Sequence, residues 1–241
     1  MSQTLFGEKD FSYIKTQGIK YAGSKLKIIP YILEIIKDLD IKTVLDGFSG
    51  STRVSQAFAQ AGYDVTSSDI AYWSEVCAKC FLLHNKNKEY YQKILDQLNS
   101  LKGYNGWFTA HYGGNEDMKV KMPFQKKNTR KLDAIRDKIE ELKLDDVDKA
   151  VILTSLLFAL DSVDSTLGHF VSYLSSWSDR SYKDLILKLP NLQRTKGSHK
   201  VIREDIFKVV KNNNFDLAYF DPPYGSNNEK MPPSRIRYNS Y

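Results

Sequence analysis

Thr43-Val-Leu-Asp-Gly-Phe-Ser-Gly50 is the stretch from which the rest of the chain can be read. An apolar run ends on a carboxylate, a glycine turn follows, and Val54, Phe58 and Ala61 then recur at helical spacing, which predicts strand, turn and helix. The next residues repeat the logic. Gly62 stops the helix, Tyr63 to Asp69 reads as a second strand, and Trp73 to Leu83 reads as a second helix. Two consecutive βα units imply a parallel sheet with right-handed crossovers.

Downstream the rhythm stops after His84 and resumes only near His199. Gly103, Gly106, Trp107, Tyr112, Gly113 and Gly114 suggest irregular or hairpin structure between Lys102 and Phe124. Helices are expected at about Asn128 to Leu142, Val147 to Leu160 and Asp179 to Leu187, with Pro190 closing the last. The sheet then continues with a strand from His199 to Asp205, a helical turn from Ile206 to Lys211, and a buried strand from Phe215 to Phe220 that ends at Asp221. Residues 1–84 and 197–241 are therefore expected to form one discontinuous domain, with 85–196 as a mostly helical insertion. Each expected strand delivers an acid to its C-terminal end: Asp46, Asp69, Asp205 and Asp221. In open α/β sheets that rim is where ligands bind.

Composition narrows the function classes. The 241 residues are 41% hydrophobic and 27% charged, enough for a core without disulfides or metals, and no run of about 18 apolar residues exists to span a bilayer. The amino terminus lacks the basic and apolar regions of a signal peptide, so the expected compartment is the cytoplasm. Cys77 and Cys80 have no second ligand pair, and no pairing among His111, His169 and His199 is apparent, so no metal is expected. The net charge of +6 permits an anionic partner such as nucleic acid.

Asp221-Pro222-Pro223-Tyr224 is the most informative tetrapeptide; chance alone yields such a match in roughly one chain per thousand of this length. Two prolines stiffen the loop and leave its carbonyls free as acceptors. A carboxylate and a proline carbonyl can together accept both hydrogens of an exocyclic amino group, and Tyr224 offers a ring face to an extruded base. The alternative is a strand-to-turn junction with a capping Asp and a packed Tyr.

The ordered set Lys20-Tyr-Ala-Gly-Ser-Lys25, Asp46-Gly-Phe-Ser-Gly50, Asp69, Arg203-Glu-Asp205 and Asp221-Pro-Pro-Tyr224 resembles the alpha-group, Dam-like DNA adenine N6-methyltransferases over nearly the whole chain. The resemblance implies a Rossmann-like α/β methyltransferase sheet with an inserted helical target-recognition lobe, and S-adenosylmethionine as cofactor. It implies that Tyr21, Gly23 and Lys25 close over the cofactor, with Lys25 near its carboxylate. Gly47, Gly50 and Phe48 would lie against the methionine part, and Asp46 would receive the ammonium. Asp69 would hold the ribose with Ile70 beside it, while Asp205 and Ile206 would hold the adenine ring. Catalysis would rest on Asp221, Pro222, Pro223 and Tyr224. The glycine loop departs from the family pattern, with Gly47 where Pro is frequent and Thr52 where a late glycine is usual. Any one of the four acids, taken singly, also suits a helix N-cap.

The insertion is expected to carry the DNA surface. Lys119 to Lys143 holds nine Lys or Arg against four Asp or Glu, and Lys121, Lys126, Lys127, Arg130 and Arg180 are the candidate phosphate contacts. For Lys131 to Lys143, with its paired acids, a solvated helix face is the better reading. Ser162 to Trp177 suits either a groove or, through Phe170 and Trp177, the core. Relatives place further strands after Asp-Pro-Pro-Tyr, and seventeen residues beyond Tyr224 are too few for them. A truncated fragment, or a subunit completed by a C-terminal polypeptide, is expected, with the Asp221 strand as a sheet edge. A linked restriction endonuclease is a further expected partner. Cytosine N4 methylation and an inactive DNA-binding subunit are the alternatives.

Overall fold

The computed structural model describes residues 11–19, 25–114, 122–167 and 174–222. After a 3-10 turn at Lys25–Lys27, helix α1 (Ile29–Ile36) precedes strand β1 (Thr43–Asp46), helix α2 (Arg53–Gln60), strand β2 (Asp64–Ser68) and helix α3 (Tyr72–Leu83). Helices α4 (Lys88–Ser100) and α5 (Trp107–Tyr112) follow, then the two-residue strands β3 (Gly113–Gly114) and β4 (Phe124–Gln125), and helices α6 (Lys126–Glu141) and α7 (Asp146–Val163). The sheet is completed by strand β5 (Lys200–Ile202), helix α8 (Ile206–Asn212) and strand β6 (Leu217–Tyr219).

The four longer strands form one parallel sheet in the order β5-β2-β1-β6. Because all four run the same way, Asp46, Asp69, Asp205 and Asp221 come to one rim, as the expected Rossmann-like α/β fold requires. Val44, Leu45 and Val65 are fully buried, the mark of strands covered on both faces. Ile29, Leu33 and Ile36 of α1 and Val54, Ala57 and Phe58 of α2 join Val44 and Val65 in a single core.

The helical lobe has its own core, in which Tyr91, Leu95, Leu98, Ile135, Ile139, Val151 and Ile152 are essentially inaccessible to water. It includes Cys80 and Phe81 of α3, so that helix belongs to both halves. A smaller cluster of Ile19, Ala71, Trp73 and Cys77 packs against Leu157 and Phe158 of α7 and completes the seam. Burial pushes the Cys77 thiol up to about 12 and raises that of Cys80 as well, so both act as neutral packing groups. Among the described residues no group of three His, Cys, Asp or Glu is placed to hold a metal, and no helix is long and apolar enough to cross a membrane.

Three local expectations are corrected. The glycine-rich stretch before Phe124, expected to be irregular or a hairpin, includes a short helix and a two-residue parallel bridge, Gly113 to Phe124 and Gly114 to Gln125. The segment Asp179 to Leu187 is helical only as a 3-10 turn at Asp179–Tyr182 and then runs extended. Asn128 brackets it by donating Nδ2–H to Lys183 O at 2.9 Å and accepting Leu185 N–H at 2.9 Å; Asn99 does the same with Leu187 O and N–H. These side chains satisfy the backbone as a neighbouring strand would, and Leu185 and Leu187 are buried while Ile186 is exposed. The β6 strand is not buried: Ala218 is exposed and Phe220 is 48% exposed, because among the described residues β6 pairs on one side only, with β1.

Candidate active site

The glycine loop owes its shape to Asp69. One carboxylate oxygen accepts the Gly50 N–H at 2.8 Å and the other the Ala71 N–H at 2.9 Å, which ties the turn after β1 to the end of β2. Gly50 has φ +46°, and Thr52 follows at φ +63°, a left-handed conformation that a β-branched residue adopts at a cost of about 1–2 kcal/mol. The late-glycine position of the family pattern therefore corresponds here to a strained Thr. Thr52 Oγ1 accepts Gln56 Nε2–H at 3.1 Å, and its N–H meets Ser49 O at 2.6 Å.

Gly47 serves packing. A Cβ there would lie 2.7 Å from the Phe220 ring and 2.9 Å from Ile206 Cδ1, so those two side chains leave no room for a larger residue. The Gly47 N–H donates to Tyr219 O at 2.9 Å and holds the loop to β6. Phe48 meets Phe220 edge-on at 6.3 Å, and Ile70 is 70% exposed at the rim. Asp205 is exposed and caps α8, accepting Phe207 N–H at 2.9 Å. Asp205 thus does the capping work that suits a lone acid, while Asp69 serves the backbone of the glycine loop and of the residue before α3.

Asp46 is different. It is 1% exposed, and among the described residues its donors come from Ser55, the hydroxyl at 2.6 Å and the backbone. Burial pushes its carboxyl up to about 7, against the lowering effect of Ser55, and the charges of Asp69 and Asp221 add to the rise. A buried acid with two acidic neighbours is suited to receive a cation.

Asp221 lies beyond β6 with Lys25 Nζ 2.7 Å from Oδ2, both side chains mostly covered. Lys25, Asp46, Phe48, Ser49, Ser51, Tyr219 and Asp221 line one cleft with Arg53 and Val54, enclosing about 20 Å³. The structure therefore brings together five sequence-predicted elements: Lys25, the glycine loop, Asp46, Asp69 and Asp221. It pairs Lys25 with Asp221, an ion pair that the sequence pattern does not announce. Pro222 is exposed; Tyr21, Gly23, Pro223 and Tyr224 lie outside the described residues.

Upstream of Lys25, residues 15–18 are docked on α2. Gln60 and Gln56 each clamp a backbone unit, accepting the N–H and donating to the carbonyl of Lys15 and of Gln17, at 2.7–3.0 Å. Arg53 donates to Thr16 O at 2.7 Å and Gly18 O at 3.0 Å. The reading of the sequence missed this strap. The available signal was polar residues at 53, 56 and 60 on the helix that follows the glycine turn.

The candidate DNA residues divide. Lys126 and Arg130 are exposed on α6 and one turn apart. Lys127 donates to Tyr182 O at 2.7 Å and Asp184 Oδ1 at 2.8 Å. Arg180 pairs with buried Asp164 at 2.6 Å and donates to its carbonyl at 2.8 Å, joining the two ends of the 164–180 loop. Lys121 and Phe170 lie outside the described residues, and Trp177 is buried.

A family profile described as D12 class N6 adenine-specific DNA methyltransferase matches residues 21–233. Modification methylase StsI of Streptococcus sanguinis is 28% identical over 225 residues, 86% of this chain and 34% of that protein. Type II methyltransferase M.NlaIII of Neisseria lactamica is 27% identical over 220 residues, 86% of this chain and 65% of that protein. Modification methylase LlaI of Lactococcus lactis subsp. lactis is 26% identical over 224 residues, 86% of this chain and 36% of that protein. The chain spans between about a third and two thirds of these relatives. With the acids of the rim, the glycine loop and the Asp221 segment all inside the matched residues, the chain belongs to the D12 class of N6 adenine-specific DNA methyltransferases.

Proposed function

We propose that the protein transfers a methyl group from S-adenosylmethionine to N6 of an adenine extruded from duplex DNA, as the modification component of a restriction system. The observation that supports it best is the shared cleft of Asp46, Lys25 and Asp221 at the ends of two paired strands. The site residues suit the cofactor: Asp46 is a buried acid poised near neutrality, and an ammonium group beside it would favour its ionised form. When bound, the cofactor supplies an electrophilic methyl on a sulfonium.

The chain's own residues then have distinct tasks. Adenine N6 is a poor nucleophile because its lone pair is delocalised into the ring. Asp221 accepts one amino hydrogen and the Pro222 carbonyl the other, so that nitrogen can pyramidalise toward the methyl group. Orientation of this kind is worth about 7–11 kcal/mol in well-aligned intramolecular reactions, more than the few kcal/mol needed to extrude a base. Lys25 must release Asp221 for this to occur, and the strap on α2 keeps its ammonium close by. Tyr224 is the proposed stacking surface for the extruded ring.

DNA is held on the lobe through Lys126 and Arg130, with Lys121 and Lys127 as additional contacts. A complementing C-terminal polypeptide beside β6 fits the edge that is unpaired among the described residues, the exposed Phe220 and the outer face of α1, where Tyr31 and Ile35 are more than 70% exposed. The purified chain should then elute with that partner, and a solitary, fully active 27.7 kDa species would contradict it. The function itself is tested by incubating the protein with tritiated cofactor and undigested DNA, then identifying the labelled nucleoside. N6-methyladenine is expected; N4-methylcytosine, or no transfer, overturns the proposal.

A further inference from the structure

Of the three tryptophans, Trp73 and Trp177 are buried at 5% and 8% exposure, whereas Trp107 is 58% exposed on the helical lobe. It opens α5, and its indole stacks on His111 at 4.5 Å between ring centres and 26° between planes. His111 is itself fixed by a hydrogen bond between Nδ1 and Trp107 O at 2.7 Å. Phe108 meets the indole edge-on at 5.0 Å, and both Phe108 and Tyr112 pack onto the lobe core. One face of the indole is thus backed by an imidazole, and much of the rest is open to solvent.

The support beneath it is rigid. Asp133 of α6 accepts the N–H groups of Gly106, Phe108 and Thr109 and the Thr109 hydroxyl, at 2.6–3.0 Å, which satisfies the first turn of α5. Gly106 and Gly113 let α5 lie close on α6: a Cβ at Gly106 would come within 2.6 Å of Asp133, and one at Gly113 within 2.6 Å of Thr129 Oγ1. Arg130 belongs to the same stretch of α6, where its carbonyl accepts Tyr104 N–H at 3.1 Å. Lys126 stands one turn away. Both cations are exposed, and among the described residues neither side chain has a hydrogen-bond or ion-pair partner. Of the nearby acids, Asp133 is buried and Asp137 is bonded to the Tyr104 hydroxyl.

An exposed aromatic stack on α5, with two exposed cations on the supporting helix α6 that have no partner among the described residues, has the composition of a nucleic-acid stacking platform, since every base has a ring face and every nucleotide a phosphate. We propose that Trp107, backed by His111, stacks on an unpaired nucleobase of the bound DNA, while Lys126 and Arg130 hold the flanking phosphates. The inference rests on the DNA-methylating function proposed above and adds a positioning residue to it. Trp107 stands in a stretch that the sequence pattern marked only as irregular or hairpin structure.

Because Trp107 is the exposed indole, the protein's own fluorescence reports on the platform. A single-stranded DNA oligonucleotide of mixed sequence, titrated into the full chain, should quench the exposed component, and Trp107→Leu should abolish that quenching. The same variant should weaken binding roughly 5- to 140-fold, the range that corresponds to removal of one stacked base, and Trp107→Phe should recover most of it. Lys126→Gln with Arg130→Gln should keep the quenching at low salt and lower the slope of the salt dependence by about one for each phosphate no longer held. Wild-type affinity in Trp107→Leu, or quenching by an unrelated protein partner but not by DNA, overturns the stacking assignment and leaves the methyltransferase reading standing. A wild-type chain that does not bind DNA at all overturns both.

Discussion

Asp46 and Asp133 are both acids with 3% exposure or less, one at the rim of the sheet and one in the helical lobe. Asp133 receives three backbone N–H groups and a hydroxyl. Among the described residues Asp46 receives donors from Ser55 alone, and it faces Asp69 and Asp221. A buried carboxylate surrounded by donors is a piece of architecture. One with few donors among like charges has its ordinary acidity suppressed, and a cation beside it would restore the ionised form. Other acids of the lobe follow the first pattern: Asp148 accepts the Tyr91 hydroxyl at 2.8 Å, and Asp164 pairs with Arg180.

The contrast can be broken by substitution. The largest effect is expected at Asp221. Asp221→Ala should bind cofactor but lose on the order of 10³-fold or more in methyl transfer, measured with tritiated cofactor, because the amino group is no longer held. Asp133→Ala comes next. It strands several buried donors at the start of α5 and should cost about 3–5 kcal/mol in urea unfolding, with no separate effect on the affinity of the folded protein for cofactor.

Asp46→Asn should move stability the other way. The Asp46 carboxyl rises from 3.8 to about 7 on folding, so the folded state favours its neutral form. Its contribution to stability is complete below about pH 4 and is lost as pH climbs to about 7. Asn cannot ionise, so the variant should be more stable than the wild type at pH 8, by up to about 4 kcal/mol, while binding cofactor more weakly. Cofactor affinity of the wild type should strengthen between about pH 6 and 8 as Asp46 ionises. The smallest effect is expected at Thr52, where Thr52→Gly relieves the left-handed backbone but forfeits the bond to Gln56, a net gain under about 1 kcal/mol in thermal unfolding.

The sheet was legible in the sequence because its signals are local. Thr43–Asp46 carries an apolar pair that ends on an acid before a glycine, Asp64–Ser68 lies between Gly62 and Asp69, and parallel pairing carries the four acids to one edge without further information. Charge alone could not separate Lys126 and Arg130 from Lys127 and Arg180, since partners such as Asp184 and Asp164 are distant in sequence. The expected helix over Asp179 to Leu187 failed for a physical reason: Leu185, Leu187 and Leu189 alternate with polar or exposed residues, a period of two that Asn99 and Asn128 then lock in place. The close packing of Gly47 against Phe220 and Ile206, more than 150 residues away, leaves no trace in the local pattern.

The most direct measurement of whether the rim is built as a receptor for a cation is a carbon-13 NMR titration of the Asp46 carboxyl, with and without S-adenosylmethionine. A midpoint near pH 7 in the free protein that falls on cofactor binding is the expected result. A midpoint near 4 in the free protein, unmoved by cofactor, would contradict it.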